Sequence, residues 1–263
     1  MKHLASTLAT RGPQAFARAL EMRYEVYCLE CNFLLPEDYP DGVETDEHDE
    51  TAAHFYAFDH EEELVGYVRL VRPDTHARFP FQRHCNLSSG VELAIPHEAA
   101  EISRLMVRRD YRRRQSDGLC GVTAQENAAA FSGDRRHQAP GVLLNLYRQM
   151  YQYCLANNVR FWYAAMERTL ARSLAQFGFH FVPIGPATDY YGPVAPYLAD
   201  LRKLEEQVRQ RDTSLLDWLM DSHPKSRAAE QCTPDTDWAP DADALPAHLL
   251  TNWRKLFDHS TQA

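Results

Sequence analysis

Four short segments of this chain concentrate side chains suited to chemistry. Arg23 and Tyr27 lie one helical turn apart in RYEVYCLEC. Asp46 and Asp49 follow within ETDEHD, and Arg69 sits in GYVRL. The fourth segment, EISRLMV, holds Glu101, Ser103, Arg104, Met106 and Val107. A guanidinium binds a carboxylate through two parallel hydrogen bonds, so Arg69 and Arg104 are natural anchors for a substrate that bears one. An arginine facing two carboxylates, as Arg23 would face Asp46 and Asp49, can instead order a flexible loop over a pocket. A partly buried carboxylate has a raised pKa and can take up a proton near neutral pH. Each segment also has a bland reading, a surface ion pair worth ~0–1 kcal/mol.

The elements that must position these residues can be read from pattern. Pro13 opens an amphipathic segment that predicts a helix of roughly five turns carrying Arg23 and Tyr27. Pro36, Pro40 and Gly42 mark a loop, on which Asp46 and Asp49 fall. His54–Asp59 and Leu64–Val71 are aromatic and β-branched runs around a polar turn and predict a hairpin. Ala100–Val107 predicts a central strand. Gly141–Asn157 predicts a helix, Arg160–Met166 a buried strand, Thr169–Phe177 a short helix ending at Gly178, and Phe179–Ile184 a last strand. This order predicts an α/β fold, a mixed central sheet flanked by helices in one domain over residues 1–198. Beyond residue 199 the chain predicts a helical C-terminal extension, 199–263, with a linker rich in Pro and Asp.

Composition sets outer limits. The 263 residues are 44% hydrophobic and 25% charged, in the range of soluble globular chains. The longest apolar run, Phe161–Met166, is far below the ~20 residues of a transmembrane helix, and MKHLASTLATRG lacks the apolar core of a secretory signal. These features predict a cytoplasmic protein with its six cysteines reduced. The net charge of −9 argues against nucleic acid as a partner. Charge is unevenly spread. Twelve Asp/Glu and no Lys or Arg lie between Glu37 and Glu63, whereas six Arg and one Asp lie between Arg104 and Arg114. Cys28 and Cys31 form a C-x-x-C without a second pair, and the twelve His show no ligand spacing, so no metal is predicted.

Taken in order, the four segments resemble the N-acylhomoserine lactone synthases, relatives of the GNAT acyltransferases. RYEVYCLECNFL, ETDEHDE and EISRLMVRRDYRRR resemble more closely the N-acyl amino acid synthases that accompany the PEP-CTERM/exosortase sorting system. The resemblance covers roughly residues 12–198. It implies a GNAT-like acyltransferase fold and transfer of a long fatty acyl group from acyl carrier protein to the α-amine of an amino acid. Two departures separate the chain from the lactone synthases, which use S-adenosylmethionine: Phe33 stands where they have Trp, and the chain extends further at its C-terminus. The glycine-rich pyrophosphate turn of CoA-dependent GNATs is reduced to RRDYRRRQSDG. That favours a carrier-bound phosphopantetheine thioester over acyl-CoA as donor, with no tightly bound cofactor.

The resemblance also implies roles. Amide formation from a thioester needs a neutral amine, and α-amines titrate at ~7.7–8.0 or above. Glu101 is the implied proton acceptor, its alternative being an ion pair with Arg104 or Arg69. Backbone N–H groups around Met106 and Val107 are the implied oxyanion donors, within a catalytic segment that includes Ser103 and Arg104. Arg23, Tyr27, Phe33, Asp46, Asp49 and Arg69 would shape the acceptor pocket. Arg108, Arg109, Arg112, Arg113 and Arg114 would receive the acidic carrier, their alternatives being a solvated loop or an RNA contact. The rival functions are a lactone synthase and a catalytically silent acyl-binding module. A lipid product would also bring such an enzyme to a membrane surface.

Overall fold

The computed structural model describes residues 12–59, 61–111 and 139–220. Helix α1 (Gly12–Tyr24) carries Pro13 and gives way to a wider turn after Tyr24. It widens into a π-helical turn over Glu25–Glu30, where Cys31 N–H donates to the Val26 carbonyl at 2.9 Å. A π turn accommodates an extra residue and rotates the chain beyond it, a device common at functional sites. Here it precedes a loop whose Phe33 and Leu34 N–H groups both donate back to the Tyr27 carbonyl.

The predicted hairpin forms as β1 (Ala53–Phe58) and β2 (Leu64–Val71). Strand β3 (Ala99–Val107) pairs antiparallel with β2, and β4 (Phe161–Met166) pairs parallel with β3. Helix α2 (Ala139–Ala156) precedes β4, and α3 (Arg168–Ala175) follows it. Next come β5 (Val182–Pro183), β6 (Thr188–Asp189), β7 (Pro193–Asp200), α4 (Leu201–Arg211) and α5 (Thr213–Met220). The seven-stranded sheet runs β1-β2-β3-β4-β7-β5, with β6 on β7.

The predicted strand Phe179–Ile184 shrinks to two residues, and the sheet position beside β4 goes to β7, which the sequence pattern missed. Pro193 and Pro196 are the reason, since proline removes a ladder donor and reads as a strand breaker. Pro196 is tolerated because its carbonyl accepts from Ile184 N–H on the side away from β4, where β5 reaches only Tyr197 and Leu198. The absent donor therefore faces no strand.

Side-chain alternation divides the core. One face of the sheet packs Val68, Leu70, Ile102 and Trp162 against Leu143, Leu146, Tyr147 and Met150 of α2. Leu201, Leu204, Leu215 and Leu219 of α4 and α5 join this same cluster. The other face packs Tyr67 and Met106 against Ala15, Ala19 and Met22 of α1, with a third cluster around Phe79, Phe81 and Tyr163. Of the aromatic residues Phe161, Trp162, Tyr163, Phe177, Phe179 and Phe181, whose apolar character predicts a place mostly in the core, all are buried except the half-buried Phe161.

Cysteine chemistry differs from expectation. Cys31 is disulfide-bonded, whereas Cys28, Cys85 and Cys154 are free and buried. Among the described residues, no His/Cys/Asp/Glu group could hold a metal ion, and no helix is long and apolar enough to cross a membrane.

Gly178 ends α3 at φ +87°, and a Cβ there would lie 2.8 Å from the Val208 Cα on α4. Gly178→Ala is expected to cost about 2–4 kcal/mol, combining a left-handed backbone with a backbone clash. Gly90→Ala shares the positive φ but meets nothing within 4 Å, and should cost about 1 kcal/mol. Urea midpoints at constant m value measure both.

Candidate active site

The site begins where two strands part. β3 and β4 are paired only from Ala99↔Phe161 to Ile102↔Ala164. Beyond Ile102, β3 is paired with β2 alone. Arg69 pairs with Ser103 and Tyr67 with Met106, so β3 carries one residue more than β2 across this interval. This bulge holds Arg104 at φ +55°. The fork opens a cavity of about 120 Å³ between Glu101–Leu105 on β3 and Ala164–Glu167 at the end of β4. Tyr147 and Leu170 close it towards the helices, while Tyr27, Phe33, Tyr190 and Tyr191 wall it towards the loops.

Beside the cavity lies a buried cluster of three arginines and three carboxylates. Arg23, at the end of α1, places Nε 2.5 Å from Glu44 and Nη1 2.6 Å from Asp49. Arg69 donates to both Asp46 oxygens, at 2.7 and 2.5 Å, and to Asp49. Arg104 donates to both Glu44 oxygens, at 3.1 and 2.9 Å, and to Asp46 at 3.1 Å. Its guanidinium also lies over the rings of Tyr27 and Tyr191, 4.9 and 5.4 Å from their centroids. Formal charges cancel within the cluster, which is how so many ions tolerate burial. Burial alone would raise Glu44, yet the hydrogen bonds and charges of Arg104 and Arg23 hold its carboxyl down to about 2. Asp46, bonded to Arg69, is likewise held well below the usual carboxylate range.

Glu101 stands apart from this exchange. It is buried, lines the cavity and accepts a hydrogen bond from Phe81 N–H at 2.9 Å. Burial pushes its pKa up to about 8, outweighing the Phe81 bond and the charges of Arg69 and Arg104. Such a carboxyl can exchange a proton near neutral pH.

The sequence-selected residues therefore divide. Glu101, Ser103, Arg104, Tyr27 and Phe33 line the cavity, while Arg23, Asp46, Asp49 and Arg69 build the cluster that supports it. Arg69 and Arg104 are both committed to protein carboxylates. Met106 and Val107 lie past the bulge, paired with Tyr67 and Gly66, and do not line the cavity. Arg108 is held bidentately by Asp110, and Arg109 is exposed. Arg112, Arg113 and Arg114 lie outside the described residues.

A mixed sheet forked at one parallel pair, with the cavity in the fork, defines the fold. It is GNAT-like. Residues 22–120 match the acetyltransferase (GNAT) domain model. The GNAT-like fold is shared with the CoA-dependent acyl-homoserine lactone synthase BjaI, solved with SAM and isopentyl-CoA. That structure is 17% identical, with a TM-score of 0.52 over 77% of this chain and 82% of that one. TofI, solved in a ternary complex with an inhibitor and MTA, is 16% identical. Its TM-score is 0.53 over 80% of this chain and 93% of that one. FeeM, an N-acyl amino acid synthase from uncultured soil microbes, is 15% identical with a TM-score of 0.46, over 74% of this chain and 89% of that one. No curated protein matches the chain by sequence.

Several residues of the site escape a reading of the sequence. Glu44 opens the ETDEHD segment that carries the resemblance, but no role attaches to it there, although it bridges Arg23 and Arg104. Tyr190 and Tyr191 reach the cavity from the β6–β7 turn, where Tyr190 N–H donates to the Gly192 carbonyl. Their signal is an aromatic pair before a glycine, but its place in the sheet depends on β7. Tyr147 projects from the middle of α2, where an aromatic reads as ordinary core.

Proposed function

We propose that the chain is an N-acyltransferase that moves a fatty acyl group from a carrier-bound thioester to the α-amine of an amino acid. The observation that carries this reading is Glu101, a carboxyl with a pKa near 8 in the wall of the strand fork. In the reaction, Glu101 takes a proton from the acceptor ammonium, directly or through water. The amine nitrogen then attacks the thioester carbonyl, the C–N bond forms and the C–S bond breaks. The attacking nitrogen sheds its second proton, the departing thiolate takes one up, and Glu101 returns its own proton to solvent, giving an N-acyl amino acid and free thiol. Backbone N–H groups of β3 beyond Ile102, where β4 no longer lies opposite, are the nearest donors for the oxyanion. Ser103 and Arg104 frame the same wall. Tyr27 and Phe33 shape the acceptor side, supported by the Arg23–Asp46–Asp49–Arg69 cluster.

Carrier docking falls to the basic stretch after β3, Arg108, Arg109, Arg112, Arg113 and Arg114. Arg109 is exposed and open to a partner, whereas Arg108 is held by Asp110 and offers the carrier less. Association with a PEP-CTERM/exosortase system and a peripheral membrane location through the lipid product belong to the same proposal. A second reading, lactone synthesis from S-adenosylmethionine, draws on the fold shared with BjaI, a structure that holds SAM.

Purified protein incubated with acyl carrier proteins of several chain lengths, plus the twenty amino acids or S-adenosylmethionine, separates the readings by mass spectrometry. An acyl amide of an amino acid with thiol release supports the proposal. An acyl lactone supports the second reading, and bound acyl chain without turnover overturns both. Turnover with acyl-CoA but not with any carrier removes the carrier from the proposal. Replacing Arg112, Arg113 and Arg114 with Ala is expected to raise the carrier KM about tenfold and to flatten its salt dependence, since steering charges act mainly on association.

A further inference from the structure

One buried polar residue beside the cluster has no part in the reaction as proposed. His54, on β1, is only 5% exposed. It pairs directly with Arg69 across the hairpin, so its ring shares a face with Arg69 and with Tyr67 two residues earlier. Its Nδ1 lies 2.7 Å from the Tyr67 hydroxyl and its Nε2 lies 2.8 Å from the Asp49 backbone carbonyl. The ring packs edge-on to Phe16 of α1, with centroids 4.9 Å apart.

We propose that His54 is a positioning residue, which as the neutral Nε2–H tautomer pins the Asp49 carbonyl and so fixes the acidic loop over the site. A carbonyl can only accept, so Nε2 must carry a proton. The Tyr67 hydroxyl can donate, so Nδ1 accepts without a second proton. A neutral ring thus satisfies both neighbours. The charged groups facing it, Arg69 from β2 and Arg23 from α1, oppose a further cation, and Asp49 already receives both guanidiniums. Burial likewise holds the imidazole below its ordinary pKa.

The consequence is a clamp on both ends of one residue. The Asp49 carboxylate is held by Arg23, Arg69 and the Asp46 N–H, and its carbonyl is held by His54. Asp46 bonds Arg104, which lines the cavity. Releasing the carbonyl lets the loop pivot about the carboxylate, and the movement passes through Asp46 to the cavity wall. That this governs acceptor capture rests on the reaction proposed above; the tether itself does not.

The decisive measurements therefore need no substrate. Long-range ¹⁵N–¹H correlation on the unaltered protein at pH 7 is expected to show His54 as the neutral Nε2–H tautomer. A charged ring or an Nδ1–H tautomer overturns the proposal. His54→Asn can still meet Tyr67 but is too short to reach Asp49, whereas His54→Gln can place an amide N–H near the Nε2 position. Hydrogen exchange in residues 46–52 is expected to speed up about tenfold in His54→Asn and to stay within about threefold of the parent in His54→Gln. Equal protection in the parent and His54→Asn, or equal loss in both variants, overturns it.

Discussion

Glu101→Gln is expected to lower kcat/KM for acyl transfer by about 10²–10⁴-fold, the range for removing a positioned general base. The pH profile carries the diagnosis. With a carboxyl pKa near 8, the ionised base grows as pH rises, so the parent rate climbs to a plateau above about pH 8. The variant loses that limb. Titration of the acceptor amine persists in both proteins, so the difference between the two profiles isolates Glu101. Stability should move in the opposite direction. A folded protein that holds a proton its unfolded chain would release loses stability as pH rises from about 4.5 through 8. Gln removes this loss, so the variant should resist urea at least as well as the parent at pH 8.5. A variant that keeps parental turnover and profile excludes Glu101 as the base.

Glu44→Gln should do the reverse, harming the fold first. Glu44 is wholly buried between Arg23 and Arg104, and neutralising it leaves two guanidiniums under-compensated in a low-dielectric setting. Removing one partner of a buried ion pair typically costs about 3–5 kcal/mol. The parent's acid sensitivity reports the same interaction. A carboxyl held at about 2, against 4.5 in an open chain, contributes stability that is present above pH 4.5 and lost as pH falls towards 2. Glu44→Gln lacks this contribution, so its stability should fall less steeply across that interval. Urea melts at pH 3, 4, 5 and 7 test both statements. A loss below 1 kcal/mol at pH 7 would show that the cluster relaxes around the missing charge.

These expectations rest on features of unequal visibility in the sequence. The hairpin, β3, α2, β4 and α3 are legible because each is a self-contained periodic run. The charged partners Arg23, Asp46, Asp49 and Arg69 are legible as a set, because charge at such spacing has few uses. Arg23 facing Asp46 and Asp49 is legible too, but the pairing of Arg69 is not. Whether Arg69 meets a substrate or Asp46 depends on strand register, which residue types do not encode. The π turn is hidden because a wide turn and an α turn have the same apolar pattern over six residues. β7 is hidden by two prolines that matter only if a full strand lies alongside them. Glu101 is visible as a carboxylate in a strand, but its elevated pKa needs the packing of the Phe79–Arg83 segment against it.

The bulge in β3 acts on the parity of the strand. Before it, Glu101 and Ser103 turn to the α1 side while Ile102 turns to the α2 side. Strict alternation would then send Met106 towards α2 and Val107 towards α1. Instead Met106 packs in the cluster with α1, and Val107 in the one with α2. The surplus residue resets the frame and releases Arg104 from the alternation. Deleting one residue between Ser103 and Met106 would therefore restore a regular strand, keep Met106 and Val107 on their present faces, and leave Glu44 facing Arg23 alone.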